Sequence, residues 1–124
     1  SYIAILEGEI KPSEGLIDIP LARNPRNPKT FMPDADGKEA KTEYHSQEFD
    51  GKHSIVVLHP LTGRTHQLRV HLQYLKHPIV GDELYGGSKA TRLYLHAHTL
   101  EITLPGGNRR RFEASLPQEF NKVA

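Results

Sequence analysis

Cysteine is absent from the 124 residues, which removes disulfides, a thiolate nucleophile and Cys-ligated zinc or iron–sulfur sites from consideration. No apolar run approaches the roughly 18 residues needed to cross a bilayer, and no charged-then-apolar leader opens the chain, so membrane insertion and secretion are disfavoured. A cytoplasmic setting is therefore expected. Charge of one sign is missing too: sixteen basic residues face fifteen acidic ones, a formal +1. Bulk charge thus argues neither for nor against a nucleic-acid partner.

What is present fits one folded domain, or a piece of a larger one, with a thin core: 36% hydrophobic and 25% charged residues, at a mean hydropathy of −0.57. Tyr2 to Leu6 is an apolar run closed by Gly8, and Leu16 to Leu21 alternates; both read as strands. Residues 23–41 are dense in Pro, Asn, Asp and Lys and read as a long exposed loop. Thr42 to Phe49 and His53 to Leu61 predict a hairpin turning at Asp50-Gly51, two residues that tolerate positive φ. Leu93 to Leu104 and Arg110 to Leu116 predict a second hairpin around Pro105-Gly106-Gly107-Asn108.

One segment has helical periodicity. Residues 65–76 lack Pro and Gly, Leu68, Leu72 and Leu75 share a face, Thr65 is the expected N-cap, and Pro78 stops the run. Beside the apolar stripe lie His66, Arg69 and Gln73, read either as polar groups presented to a site or as an ordinary solvent face. Many strands and one main helix predict an α+β fold, with a largely antiparallel mixed sheet.

The eight histidines fit no common metal template: His66 and His71 are five apart on the predicted helix, and His96 with His98 lacks a third ligand. No serine sits in a nucleophile elbow. Arg23, Arg26 and Lys29 cluster in the Pro- and Asn-rich loop, and Arg109, Arg110 and Arg111 follow a Gly-Gly-Asn turn. Both groups are candidate RNA phosphate contacts, with solvated loop charge as the plainer alternative.

The densest signal is Gly63-Arg64-Thr65-His66-Gln67-Leu68-Arg69-Val70-His71-Leu72, followed by His77-Pro78-Ile79-Val80-Gly81-Asp82-Glu83-Leu84-Tyr85-Gly86. It strongly resembles the third motif of the RluA-type pseudouridine synthases, which isomerise selected uridines in RNA. Tyr2 to Gly8 resembles the strand after that family's catalytic loop, Lys41-Thr42-Glu43-Tyr44 its Thr-Glu-Tyr strand, and Leu95-His96-Ala97 its Leu-His-Ala segment. The resemblance implies that Tyr2 is the active-site tyrosine, lying against the target base and implicated in removing the C5 proton. It implies that Arg69 pairs with the catalytic aspartate. Arg64, His66, Gln67, Leu95 and His96, all inside matching segments, are expected to line the substrate pocket. RNA, ribosomal or transfer, is the implied partner, and neither a metal nor an organic cofactor is required by the family's mechanism.

One departure matters. The family's nucleophile is an aspartate in a His-Arg-Leu-Asp motif, and none of Asp18, Asp34, Asp36, Asp50 and Asp82 has that context; Asp82 matches a position read as structural. Residues 1–124 are therefore expected to be the C-terminal portion of a synthase catalytic domain, inactive alone, with the nucleophile-bearing N-terminal part as its natural partner. A non-catalytic RNA-binding module of the same fold is the rival reading. Loss of the N-terminal part is expected to leave the Tyr2 to Leu6 strand as an open edge, to uncover the Leu68, Leu72 and Leu75 stripe, and so to promote either self-association or easy opening at the Tyr2 strand.

Overall fold

The computed structural model describes residues 1–97 in full and, beyond them, the strand backbones of residues 99–103 and 109–113. In chain order the elements are β1 (Tyr2–Glu7), β2 (Glu14–Asp18), β3 (Leu21–Arg23), β4 (Phe31–Pro33), β5 (Lys41–Phe49), β6 (His53–Pro60), α1 (Gln67–Tyr74), a 3-10 turn (Glu83–Tyr85), β7 (Leu95–Ala97), β8 (Thr99–Thr103) and β9 (Arg109–Glu113). Five strands form one sheet in the order β2-β5-β6-β1-β7. Each pairing in it is antiparallel, as the α+β reading anticipates.

The Tyr2 strand is not an edge. β6 pairs with it from Tyr2↔Leu58 to Glu7↔His53, and β7 closes its other side from Tyr2↔Ala97 to Ala4↔Leu95. That position explains its composition: Ile3, Ala4, Ile5 and Leu6 are all buried, and a strand covered on both faces reads as continuously apolar. The helix stripe is covered as well, with Leu68 and Leu72 buried in the same core cluster as Ile5, Val56, Leu58 and Ile79, and Leu75 packed against it. The two surfaces expected to drive self-association are thus closed by the chain's own sheet.

The β5–β6 hairpin turns where expected. Gly51 has φ 96°, and the Asp50 carboxylate accepts the Lys52 and His53 N–H groups at 2.9 and 2.7 Å. Those backbone donors hold the Asp50 carboxyl below its ordinary range. Three other expectations are corrected. The strand read from Leu16 to Leu21 breaks, because Pro20 removes a donor; β2 ends at Asp18 and β3 begins at Leu21. The loop read over residues 23–41 contains β4, which pairs with β3 as a two-stranded ribbon through Leu21↔Pro33, Ala22↔Met32 and Arg23↔Phe31. The strand read from Leu93 to Leu104 is two strands, β7 on β1 and β8 on β9; the turn at Pro105 to Asn108 and the segment from Ala114 to Leu116 lie outside the described residues.

The helix is shorter than its periodicity. Its N-cap is His66, in the left-handed region at φ 55°, with no side-chain cap bond, so Thr65 is not the cap. At the other end Lys76 takes φ 66°, its N–H meets Gln73 O at 2.8 Å, and the His77 N–H meets Leu72 O at 3.0 Å. This pair of bonds is the Schellman stop, made here with lysine where glycine is usual. The chain has already left the helix two residues before Pro78.

Candidate functional site

The entry into α1 is built around one amide. Gln67 Oε1 accepts from Thr62 Oγ1 at 2.6 Å and from the Arg64 N–H at 3.1 Å. Its Nε2 donates to Lys41 O at 2.8 Å and to Thr42 Oγ1 at 2.9 Å. Both acceptor and both donor positions of the amide are therefore used within the protein. The network continues inward: Thr42 Oγ1 meets His71 Nδ1 at 2.8 Å, and His71 Nε2 meets Ile19 O at 2.9 Å. Since a carbonyl only accepts, the His71 proton sits on Nε2, and Nδ1 accepts from the threonine. Burial pushes the His71 pKa down, in keeping with a neutral ring.

Two residues further, Arg69 reaches the loop after α1. Its Nε and Nη2 donate to Asp82 Oδ2 and Oδ1 at 3.0 and 2.8 Å. Asp82 is 1% exposed. It is delivered there by Gly81, whose φ of 86° suits glycine and where a Cβ would collide with the Arg92 carbonyl oxygen. The hydrogen bond to Asp82 raises the Arg69 pKa still further, so the guanidinium is a permanent charge. Its carbon lies 5.0 Å from the centre of the Tyr85 ring.

Tyr85 joins this corner to the β3–β4 ribbon. Its hydroxyl accepts the Phe31 N–H at 2.9 Å and lies 2.6 Å from His66 Nδ1. Phe31 and Tyr85 both meet the His66 ring edge to face, at 5.7 and 5.4 Å between centroids, and the Arg23 guanidinium covers Phe31 at 4.8 Å. Burial first, then the Arg69 charge, lowers the His66 pKa.

These elements enclose a cavity of about 330 Å³ lined by Tyr2, Pro60, Thr62, Gly63, Arg64, His66, Gln67, Leu68, Arg69 and Leu95. Segments far apart in sequence, at residues 2, 60–69 and 95, converge on it. Of the residues expected at the substrate pocket, only His96 is outside the lining; it lies beside Leu95 on β7, paired with Ile3. Tyr2 is 36% exposed, so a phenol face is open to a bound group. Gln67, by contrast, lines the cavity while spending its polar atoms on the fold. Gln73 is exposed and does not line the cavity, so the polar stripe delivers only His66 and Arg69 to it.

A second groove of about 550 Å³ shares Gly63 and Arg64 with this cavity and runs past Arg23, Phe31 and Lys38. Arg26 and Lys29 are exposed in the ribbon's connecting loop. Arg23 is anchored on Phe31 and on the Pro28 carbonyl. The side chains of Arg109, Arg110 and Arg111 lie outside the described residues; their backbone forms β9. Among the described residues no three His, Asp or Glu side chains are grouped to hold a metal, and none of the helices is long and apolar enough to cross a membrane.

Comparison with known proteins gives this arrangement a lineage. The profile of the RNA pseudouridylate synthase family matches residues 1–74. The chain belongs to that family. It is 45% identical, over 126 aligned residues, to the dual-specificity RNA pseudouridine synthase RluA of Salmonella typhi, covering 96% of this chain and 57% of that protein. It is 43% identical to the ribosomal large subunit pseudouridine synthase D of Borreliella burgdorferi, covering 96% of this chain and 38% of that protein. Among solved structures, human RNA pseudouridylate synthase domain containing 1 superposes with a TM-score of 0.81 at 33% identity, over 92% of this chain and 53% of that one. The chain thus spans little more than half the length of these synthases at most.

Tyr85, Phe31 and the Thr42–His71 pair were not singled out from the sequence, and Asp82, read there as structural, is indeed buried but sits beside the cavity as the partner of Arg69. The signal for Asp82 and Tyr85 was already in the motif Gly81-Asp82-Glu83-Leu84-Tyr85: a charge and a phenol in a glycine-bounded turn need buried partners if that turn packs inward. Nothing local marks Phe31 or Thr42, whose partners lie 54 and 29 residues away.

Proposed function

We propose that the protein carrying this chain is an RNA pseudouridine synthase acting on ribosomal or transfer RNA, and that residues 1–124 are the C-terminal portion of its catalytic domain. The observation that carries the proposal is the convergence of Tyr2, Arg69 and Leu95, from three separated segments, on one cavity. A target uridine taken out of its stack, at a cost of a few kcal/mol, enters between them. The Tyr2 phenol offers it a π face and a proton-carrying oxygen. Asp82 is unsuited to be the nucleophile, being buried and held by Arg69 through both oxygens. No aspartate or glutamate is among the described residues lining the cavity, so in this reading the attacking carboxylate comes from a segment outside residues 1–124. Arg69 has five N–H donors in a planar fork, and those not spent on Asp82 are available to that carboxylate. Backbone phosphates run along the groove past Arg23, Lys38 and Arg64, with Arg26, Lys29 and the run from Arg109 to Arg111 adding charge. A cytoplasmic location is supported by the cysteine-free composition.

The test is release of tritium from RNA labelled at uridine C5, since rejoining the base through C5 must expel that hydrogen. The parent protein is expected to release it and residues 1–124 alone are expected not to. Failure of the parent on both ribosomal and transfer RNA, with RNA binding retained, would support the binding-module reading instead.

A further inference from the structure

Tyr85 is 2% exposed and sits in the 3-10 turn between the two polar groups that α1 presents to the cavity. Its hydroxyl has one proton to place. The Phe31 N–H can only donate, so it occupies a lone pair of the phenol oxygen. Among the described residues His66 Nδ1, at 2.6 Å, is the acceptor within reach of the phenol proton. The Tyr85 face is covered by the Arg69 guanidinium, which cannot accept a hydrogen bond. Raising the phenol's pKa through burial keeps it protonated and able to donate.

We propose that Tyr85 is a positioning residue of the site: it fixes His66 as the neutral tautomer protonated on Nε2, leaving a single N–H donor on a ring that lines the cavity. His66 is well placed to be set in this way. Its backbone is held in the left-handed region at φ 55°, and Phe31 and Tyr85 both contact the ring edge to face. A donor of this kind suits an oxygen acceptor on the bound nucleotide, and it stays uncharged beside the permanently charged Arg69. The role for substrate rests on the synthase reading; the state of His66 does not.

The experiment uses the parent protein labelled with ¹⁵N-histidine, and the variants Tyr85→Phe, His66→Gly and their double. His66→Gly removes the ring while accepting the positive φ. In the unmodified protein the His66 nitrogens should report one tautomer, protonated on Nε2, and titrate below an ordinary histidine. In Tyr85→Phe, Nδ1 loses its donor, so the signals should become those of mixed tautomers and the titration should move up. Tritium release should fall about tenfold, the loss expected of one well-placed hydrogen bond. In the His66→Gly background, Tyr85→Phe should then have little further effect on turnover. Unchanged His66 tautomer and titration in Tyr85→Phe would overturn the assignment, as would an equal loss of turnover in the His66→Gly background. If the unmodified parent releases no tritium but the His66 signals shift as described, the synthase reading falls and the Tyr85–His66 assignment stands.

Discussion

Arg69 and Asp82 are joined by two hydrogen bonds of 3.0 and 2.8 Å, with the carboxylate fully buried and the guanidinium partly open, its side chain 21% exposed. The residue expected to serve catalysis is thus also the counter-ion of a buried charge. Arg69→Ala should therefore destabilise the fold by about 3–5 kcal/mol, because it strands the Asp82 carboxylate. Replacing both partners by apolar residues of similar size, Arg69→Met with Asp82→Leu, should recover most of that stability and none of the turnover. Urea unfolding and tritium release on the same samples separate the two roles. Turnover restored by the double variant would remove Arg69 from the chemistry.

Gln67 should behave as a structural residue despite lining the cavity. Gln67→Leu strands the Arg64 N–H and leaves the Lys41 carbonyl with the Leu61 N–H alone, and a buried unsatisfied group costs about 1–3 kcal/mol. A loss of about 1–3 kcal/mol in the unfolding free energy, read from urea titration, is expected. A variant that kept full stability but lost RNA affinity would make Gln67 a substrate contact instead.

Stability should fall on mild acidification. The His71 ring is buried and its pKa is lowered by that burial, so below the ordinary histidine value of about 6.5 the unfolded chain takes up a proton that the native chain refuses. The His71 contribution is complete above pH ~6.5 and declines towards the lowered native pKa, at up to about 1.4 kcal/mol per pH unit. Urea unfolding from pH 8 to pH 5 reads the slope. His71→Gln, with no proton to gain, should flatten it.

The basic ribbon should contribute affinity rather than rate. Neutralising Arg26 and Lys29, both exposed, should weaken RNA binding and reduce its salt dependence by up to about two phosphate contacts, with turnover at saturating RNA preserved. Binding isotherms at several salt concentrations check this. An unchanged salt slope would return these residues to plain solvated loop charge.

What could be read from the sequence divides by range. The β5–β6 hairpin was legible because Asp50 and Gly51 act within three residues of each other, and the apolar face of α1 because Leu68 and Leu72 repeat at helical spacing. The helix start was not, since Thr65 has a capping side chain but the turn is set by Gln67, which reaches back to Arg64 and Thr62. The motif around Arg69 carried the family, yet gave no sign that the arginine's fork closes on Asp82, thirteen residues later. Proline density hid the β3–β4 ribbon: Pro33 sits at a strand end, where its missing donor costs little.

The most direct measurement is a structure of the parent protein bound to an RNA that contains its target uridine. The extruded base is expected in the cavity between Tyr2 and Leu95, with the Arg69–Asp82 fork intact beneath it and the flanking backbone passing Arg64 and Lys38. A base bound elsewhere, for example in the separate groove at Tyr44, His45 and His59, with the Tyr2 cavity empty, would contradict the account.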